Sequence, residues 1–154
     1  MGRVETKLSE LGWELPASSQ PGAHYLPFVR SGNLVFLAGQ LSPRNGERDF
    51  VGKLGREFGV LEGREAARQC ALNLLAHARA ALGGDLDRLV RLVRVDGYVN
   101  STPDFRQQAE VVNGASDLLV QVLGETGGHA RVGVGVRALP RNVAVEVRGV
   151  FEFQ

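Results

Sequence analysis

Cysteine is nearly absent: Cys70 is the only one among 154 residues. A single thiol excludes an intrachain disulfide and any cysteine-based metal cluster. Cys70 stands in a helical pattern with Ala66, Ala67, Leu74 and Ala78, so packing rather than a reactive thiol is expected of it. The three histidines, His24, His77 and His129, lie far apart and no HExxH occurs, so neither a metal nor a cofactor is expected. Long apolar runs are missing too. No stretch of about 18 apolar residues occurs, and the N-terminal MGRVETKLSELGWELP carries acidic residues without an apolar run of signal-peptide length. A cytoplasmic protein with no membrane partner is the expectation. Excess charge of one sign is lacking as well: 18 Lys+Arg against 17 Asp+Glu leave a net charge of +1. No basic tract therefore favours nucleic acid, and the spaced row Arg88, Arg91, Arg94 reads as a solvated or salt-bridged edge. No G-x-S-x-G, Walker loop or G-x-G-x-x-G occurs; Gly133-Val134-Gly135 sits in a strand pattern with no following helix.

What is present fits one domain over residues 1–154, with 1–20 a less regular N-terminal segment. Apolar residues at 44% and charged residues at 23% exclude wholesale disorder. Residues 3–12 suit a short amphipathic helix, and 15–22 a polar loop. Tyr25 to Arg30 and Leu34 to Leu41, separated by Ser31-Gly32-Asn33, suggest a hairpin with a central second strand. Residues 43–61 show no clear periodicity and read as a loop or a short strand. A long helix is expected from near Gly63 to Leu82, ended by Gly83-Gly84. Arg88 to Asn100 alternates as a strand, with Val93, Val95, Gly97 and Val99 on one face and Arg94, Asp96 and Tyr98 on the other. Ser101-Thr102-Pro103-Asp104 can cap a second helix running to about Leu123. The order is that of an α+β two-layer fold, a mixed β-sheet with two helices on one face. Apolar residues on the other sheet face, Ala144 and Val150 among them, call for a partner.

The last 26 residues, His129 to Gln154, hold two strand patterns around Leu139-Pro140-Arg141-Asn142. Arg131 opens the first and Glu146 lies in the second. A guanidinium and a carboxylate in apolar strands are unfavourable unless paired or used, so both are candidate functional residues. Arg131 presents a planar fork that suits a small carboxylate; a salt-bridged edge arginine is the alternative. Glu146 could position a water, or pair with Arg148, Arg137 or Arg94. A tight hairpin would set Glu146 opposite about Gly135, on the face of Arg131 but about 13 Å along the strand. On that register, the two charges would meet across a subunit boundary or work on opposite ends of a shared cleft, either of which hints at an oligomeric site.

The spacing A-R-x-x-V-x-V-x-x-L-P, then a strand glutamate (Ala130, Arg131, Val134, Val136, Leu139, Pro140, Glu146), resembles the C-terminal signature of the Rid (YjgF/RidA, L-PSP endoribonuclease) family. Tyr25 ahead of Gly32-Asn33, the segment Leu34 to Ser42, and Arg64 to Gly84 are similar to further family segments. The resemblance implies a chorismate-mutase-like homotrimer whose sheets enclose a central barrel, with ligand clefts between subunits. It also implies that Arg131 binds the substrate carboxylate, that Glu146 positions water, that Tyr25 belongs to the site, and that Gly39-Gln40 lets backbone approach the ligand. Val132 and Gly133 stand where common members have Ser and Cys. Ser116 stands at the position of the second-helix asparagine, with Asn113 one turn earlier. The pocket is thus altered around Gly133 and Ser116.

Three functions follow as expectations. The first is a cofactor-free enamine/imine deaminase that hydrolyses 2-aminoacrylate-like intermediates to 2-keto acids and ammonia. The second is a small-carboxylate-binding regulatory module without turnover. The third is an endoribonuclease or translation inhibitor, as older family names have it, which the near-neutral charge disfavours.

Overall fold

The computed structural model describes residues 1–20, 23–42 and 50–154. Its regular elements are α1 (Arg3–Glu10), β1 (Phe28–Ser31), β2 (Leu34–Leu41), α2 (Val60–Ala81), β3 (Leu89–Asn100), α3 (Gln108–Leu123), β4 (Ala130–Val136) and β5 (Val145–Phe153). The fold is α+β, a five-stranded mixed sheet in the order β1-β2-β5-β3-β4. The long helices α2 and α3 pack on one face of that sheet. Short α1 is a third helix, and it buries Val4 and Leu8. Asp87, just before β3, accepts from the first backbone N–H groups of α1, at 2.7 Å from Arg3 N and 3.1 Å from Val4 N. These are donors that a helix start leaves without intrahelical partners.

The Ala- and Leu-rich face of α2 explains its long run, and Ala66, Ala67, Cys70, Ala71, Leu74, Leu75 and Ala78 are buried. Its start lies earlier than Gly63, at Val60, and the Glu62 carboxylate accepts from the N–H of the capping Gly59 at 3.2 Å. Gly63 is then interior, and a Cβ there would meet Leu54 at 2.7 Å and Val111 at 2.9 Å, so its bareness lets α2 approach α3. Gly83 and Gly84 take φ of +71° and +96°, the conformation that ends a helix.

In β3, Val95, Gly97 and Val99 point at the helices, while Arg94, Asp96 and Tyr98 point away. Val93 departs from this alternation and is partly exposed, because a register shift between Leu92 and Arg94 inserts a residue. The second long helix begins later than expected. Ser101 to Gln107 forms a turn, with Phe105 N donating to Thr102 O at 3.2 Å, and α3 starts at Gln108. Pro103 therefore lies in the turn after β3 rather than opening a helix. Of the segment 43–61, residues 43–49 lie outside the described residues, as do 21–22 of the loop 15–22. Val51 and Leu54 bridge to Val143 and to Phe58 and Ser101.

The expected C-terminal hairpin does not form. β4 and β5 are not neighbours, because β3 lies between them, parallel to β4 and antiparallel to β5. α3 is the crossover that makes β3 and β4 parallel. Gly135 and Val145 both flank Val99, and Glu146 flanks Tyr98 rather than Gly135. At the β4–β5 connection, Arg141 and Asn142 both take φ of +57°.

Candidate functional site

Laterally paired strand residues share a face, so the register fixes where each candidate points. Arg131 pairs with Val95, a core residue, and so faces the helix layer at the edge of the sheet. Its Nη1 donates to Asn113 Oδ1 at 2.6 Å and to Ser116 Oγ at 3.2 Å, and its Nη2 donates to Ala109 O at 3.4 Å. All three acceptors belong to α3 and all are neutral. An arginine has five N–H donors, so two remain without a partner among the described residues, which matches the two oxygens of a carboxylate.

The cradle has a further layer. Ser116 Oγ lies 2.9 Å from His129 Nε2, and His129 Nδ1 lies 2.7 Å from Gly127 O. A carbonyl can only accept, so Nδ1 carries a proton, and in the neutral ring Nε2 must accept from Ser116. The Ser116 hydroxyl is thereby turned so that its lone pairs face Arg131. His129 and Asn113 were not singled out as site residues from sequence; the A-R motif beside His129 and the one-turn spacing of Asn113 from Ser116 were the available signals.

Glu146 pairs with Tyr98 on β3 and Leu41 on β2, on the sheet face away from the helices. The expectation that it shares a face with Arg131 is overturned, because the hairpin behind it does not form. The two residues lie two strands apart, roughly 10 Å, and three residues out of step, roughly another 10 Å. Burial pushes the Glu146 carboxyl above the ordinary carboxylate range, against the opposing pull of Arg148. A Cβ at Gly39 would sit 2.8 Å from Glu146 Oε1, so Gly39, in the register shift of β2 between Leu37 and Gln40, clears the space the carboxyl occupies. Arg148 and Arg94 do not pair with Glu146. Their Nε atoms go to Asp96 Oδ2 at 2.8 Å and 3.3 Å, and Asp96 is buried between them.

The other candidates scatter. Gln40 is buried, and its Nε2 donates to Ala38 O at 3.1 Å. Gly133 faces α3, where a Cβ would meet Val112 at 3.2 Å. Tyr25 is 54% exposed and precedes β1, while Arg131 lies on β4 at the opposite edge of the sheet. Four strand spacings separate those edges, about 19 Å. Within one chain, Ser116 joins Arg131 and Gly39 joins Glu146, but Tyr25, Arg131 and Glu146 do not meet. Cys70 is buried, with Sγ 3.5 Å from Val145 O, and burial raises its thiol far above the usual range. Among the described residues, no group of His, Cys, Asp and Glu could hold a metal, and no helix is long and apolar enough to cross a membrane.

A parallel β3–β4 pair with an arginine aimed at the crossover helix, over one open sheet face, defines a class of protein, and comparison with known proteins agrees. Residues 5–152 match the family model described as "YjgF/chorismate mutase-like, putative endoribonuclease". The chain is 45% identical over 152 residues to Protein TCP17 of Trypanosoma cruzi, covering 98% of this chain and 94% of that protein. The crystal structure of Atu1372 from Agrobacterium tumefaciens, a protein of unknown function, superposes with a TM-score of 0.93 at 43% identity, covering 99% of this chain and 93% of that one. A Shewanella oneidensis protein described as a "putative endoribonuclease" gives a TM-score of 0.93 at 30% identity, covering 97% and 99%. The chain belongs to the YjgF/Rid (L-PSP) family and has its chorismate-mutase-like fold.

Proposed function

We propose that this protein is a homotrimeric enamine/imine deaminase in which each site is built from two chains. The observation that carries the reading is Arg131, which a neutral cradle orients while leaving two N–H donors for a carboxylate. A 2-imino acid bound there presents its C=N carbon to water. Water oxygen bonds to that carbon as the C=N π bond opens and one water proton passes to nitrogen; the remaining hydroxyl proton then passes to nitrogen as C=O forms and the C–N bond breaks, leaving a 2-keto acid and ammonia. A carboxylate raised toward neutrality is a suitable group to take the water proton, and burial raises Glu146.

Since Arg131 and Glu146 of one chain point to opposite faces, the water-positioning Glu146 and the exposed Tyr25 come from a neighbouring copy. The helix-free face supports assembly: Phe36, Val29, Val132 and Val134 are exposed on it. Light scattering should report about three times 16.6 kDa. The activity test is ammonia release from freshly generated iminopyruvate. Wild type should accelerate it, while Arg131→Ala and Glu146→Gln should not. The separation of Arg131 from Glu146 favours a second reading, a carboxylate-binding module without turnover. Wild type that bound 2-oxobutyrate yet released no ammonia above background would establish that reading instead.

A further inference from the structure

A second cationic feature lies outside the Arg131 cradle. An open cleft of about 570 Å³ is lined by Lys53, Arg56, Arg106 and Arg137, with Phe105 and Gln108 also in its wall. Among the described residues, no carboxylate lines it. Lys53 forms a fixed part of the lining: its Nζ donates to Asn100 Oδ1 at 2.6 Å and to Arg137 O. Asn100 is fully buried and is itself held through Nδ2 to Gly52 O at 3.3 Å, Asn142 Oδ1 at 3.0 Å and Val143 O at 3.1 Å. The ammonium is thus anchored to a rigid part of the core by neutral oxygens.

Lys53 is partly buried, and a cation so placed is ordinarily offset by a carboxylate, yet among the described residues none pairs with it; Arg106 and Arg137 are exposed. Arg106 spends Nη1 on Pro103 O at 2.6 Å and Phe105 O at 3.3 Å, both neutral. Arg56 is the exception. Glu57, outside the lining, accepts from Lys53 N at 2.8 Å and from Arg56 Nε at 2.9 Å, and those contacts, the backbone one foremost, hold its carboxyl below the usual range. Asp104, beside the lining, has its carboxyl held below the usual range by the Thr102 side chain and, less strongly, by the charge of Arg106. Among the described residues, Lys53 and Arg137 therefore face the cleft without a counter-charge, and the Arg106 and Arg137 guanidiniums are both able to grip oxyanions.

We infer that this cleft is a binding site for a doubly charged phosphoryl group, carried by a small phosphomonoester or by inorganic phosphate itself. Lys53 supplies a fixed ammonium at its floor, Arg106 and Arg137 close over the oxygens, and Phe105 offers an apolar wall to whatever the phosphoryl is attached to. The site is separate from the Arg131 cradle. Arg131 and Gly135 are four residues apart on β4, about 13 Å, and the room beside Gly135 is taken by Gln108 and Ser101, at 2.8 Å from a Cβ placed there. The inference does not rest on the deaminase reading.

The test is amide chemical-shift titration of the full-length protein with inorganic phosphate, against sodium chloride at matched ionic strength and against 2-oxobutyrate. Phosphate should give saturable shifts at residues 101–108 and 135–137, and Arg131→Ala should leave them unchanged. The surface double variant Arg106→Gln/Arg137→Gln should weaken phosphate binding by about tenfold, and Lys53→Gln should abolish it. Glycerol 3-phosphate binding as tightly as phosphate or tighter marks a phosphomonoester as the ligand, and weaker binding marks free phosphate. Shifts that track ionic strength alone would overturn the inference, as would a double variant that binds phosphate like wild type. So would an oligoribonucleotide without terminal phosphate that binds these residues more tightly than phosphate does.

Discussion

Arg131 and Arg148 sit one level apart in the same sheet, yet their surroundings are opposite. Arg148 shares the buried Asp96 carboxylate with Arg94 and lies over the Tyr98 ring at 5.9 Å to its centroid. Arg131 has an amide oxygen, a hydroxyl and a backbone carbonyl, and no carboxylate among the described residues. Both arginines are fixed in place, but only one is neutralised. A compensated charge holds the fold; an uncompensated one held in a preset geometry is available to a ligand. The same distinction separates Asp96 from Glu146 on the open face, since the first is ion-paired and the second is left to burial.

Substitutions should break this contrast in different observables. The largest effect is expected for Arg131→Ala, which should weaken 2-keto acid binding by roughly tenfold to a hundredfold, since a charge-assisted contact contributes about 1.5 to 3 kcal/mol. Calorimetric titration checks it, and the melting temperature should hardly move. Asp96→Asn should do the reverse. It leaves Arg94 and Arg148 facing each other without their carboxylate, so a loss of about 2 kcal/mol and a fall of several degrees in Tm are expected by thermal denaturation, with ligand affinity unchanged.

Glu146→Gln sharpens the comparison through pH. Burial raises the folded pKa of Glu146 above its unfolded value, so the folded chain binds this proton more tightly. The resulting stabilisation is complete below the ordinary carboxylate range and is lost as pH rises through the folded value. The Gln variant, which cannot ionise, should therefore be more stable than wild type at neutral pH, with the gap closing as pH falls to about 4, while turnover is lost. Denaturant melts across that range and an ammonia assay measure the two arms. The smallest effect belongs to His129→Ala. Freed from Nε2, the Ser116 hydroxyl can turn its hydrogen toward Arg131, and a weakening of carboxylate affinity by only a few-fold is expected. His129→Gln, which keeps an acceptor, should recover part of it.

Much of the fold could be read from the pattern of residues, and the reason is local. The alternation in β3 and the Ala and Leu spacing of α2 each reflect burial of one face, which a sequence displays directly. Strand neighbours are not local. Val132-Gly133-Val134 and Val145-Glu146-Val147 alternate alike whether they pair with each other or both flank β3, so the hairpin looked natural and the intervening strand left no mark. That error carried Glu146 to the wrong face. Arg131 and Glu146 themselves were visible as charges among valines. Asn113 and His129 were harder, because they approach Arg131 only after α3 folds back over β4. The cationic cleft was invisible for the same reason, since Lys53, Arg106 and Arg137 come from three separate stretches.

The central claim is that Arg131 and Glu146 act together only across two copies of the chain, and subunit mixing tests it most directly. Arg131→Ala and Glu146→Gln chains, each inactive alone, are unfolded together, refolded at equal ratio and assayed for ammonia release from iminopyruvate. If the sites lie between copies, random assortment makes about a quarter of them intact, with Arg131 from the Gln variant facing Glu146 from the Ala variant. Recovery of about that share of wild-type activity is the expected result. A mixed sample as inactive as its two parents, beside an active wild type refolded in the same way, would contradict the shared site.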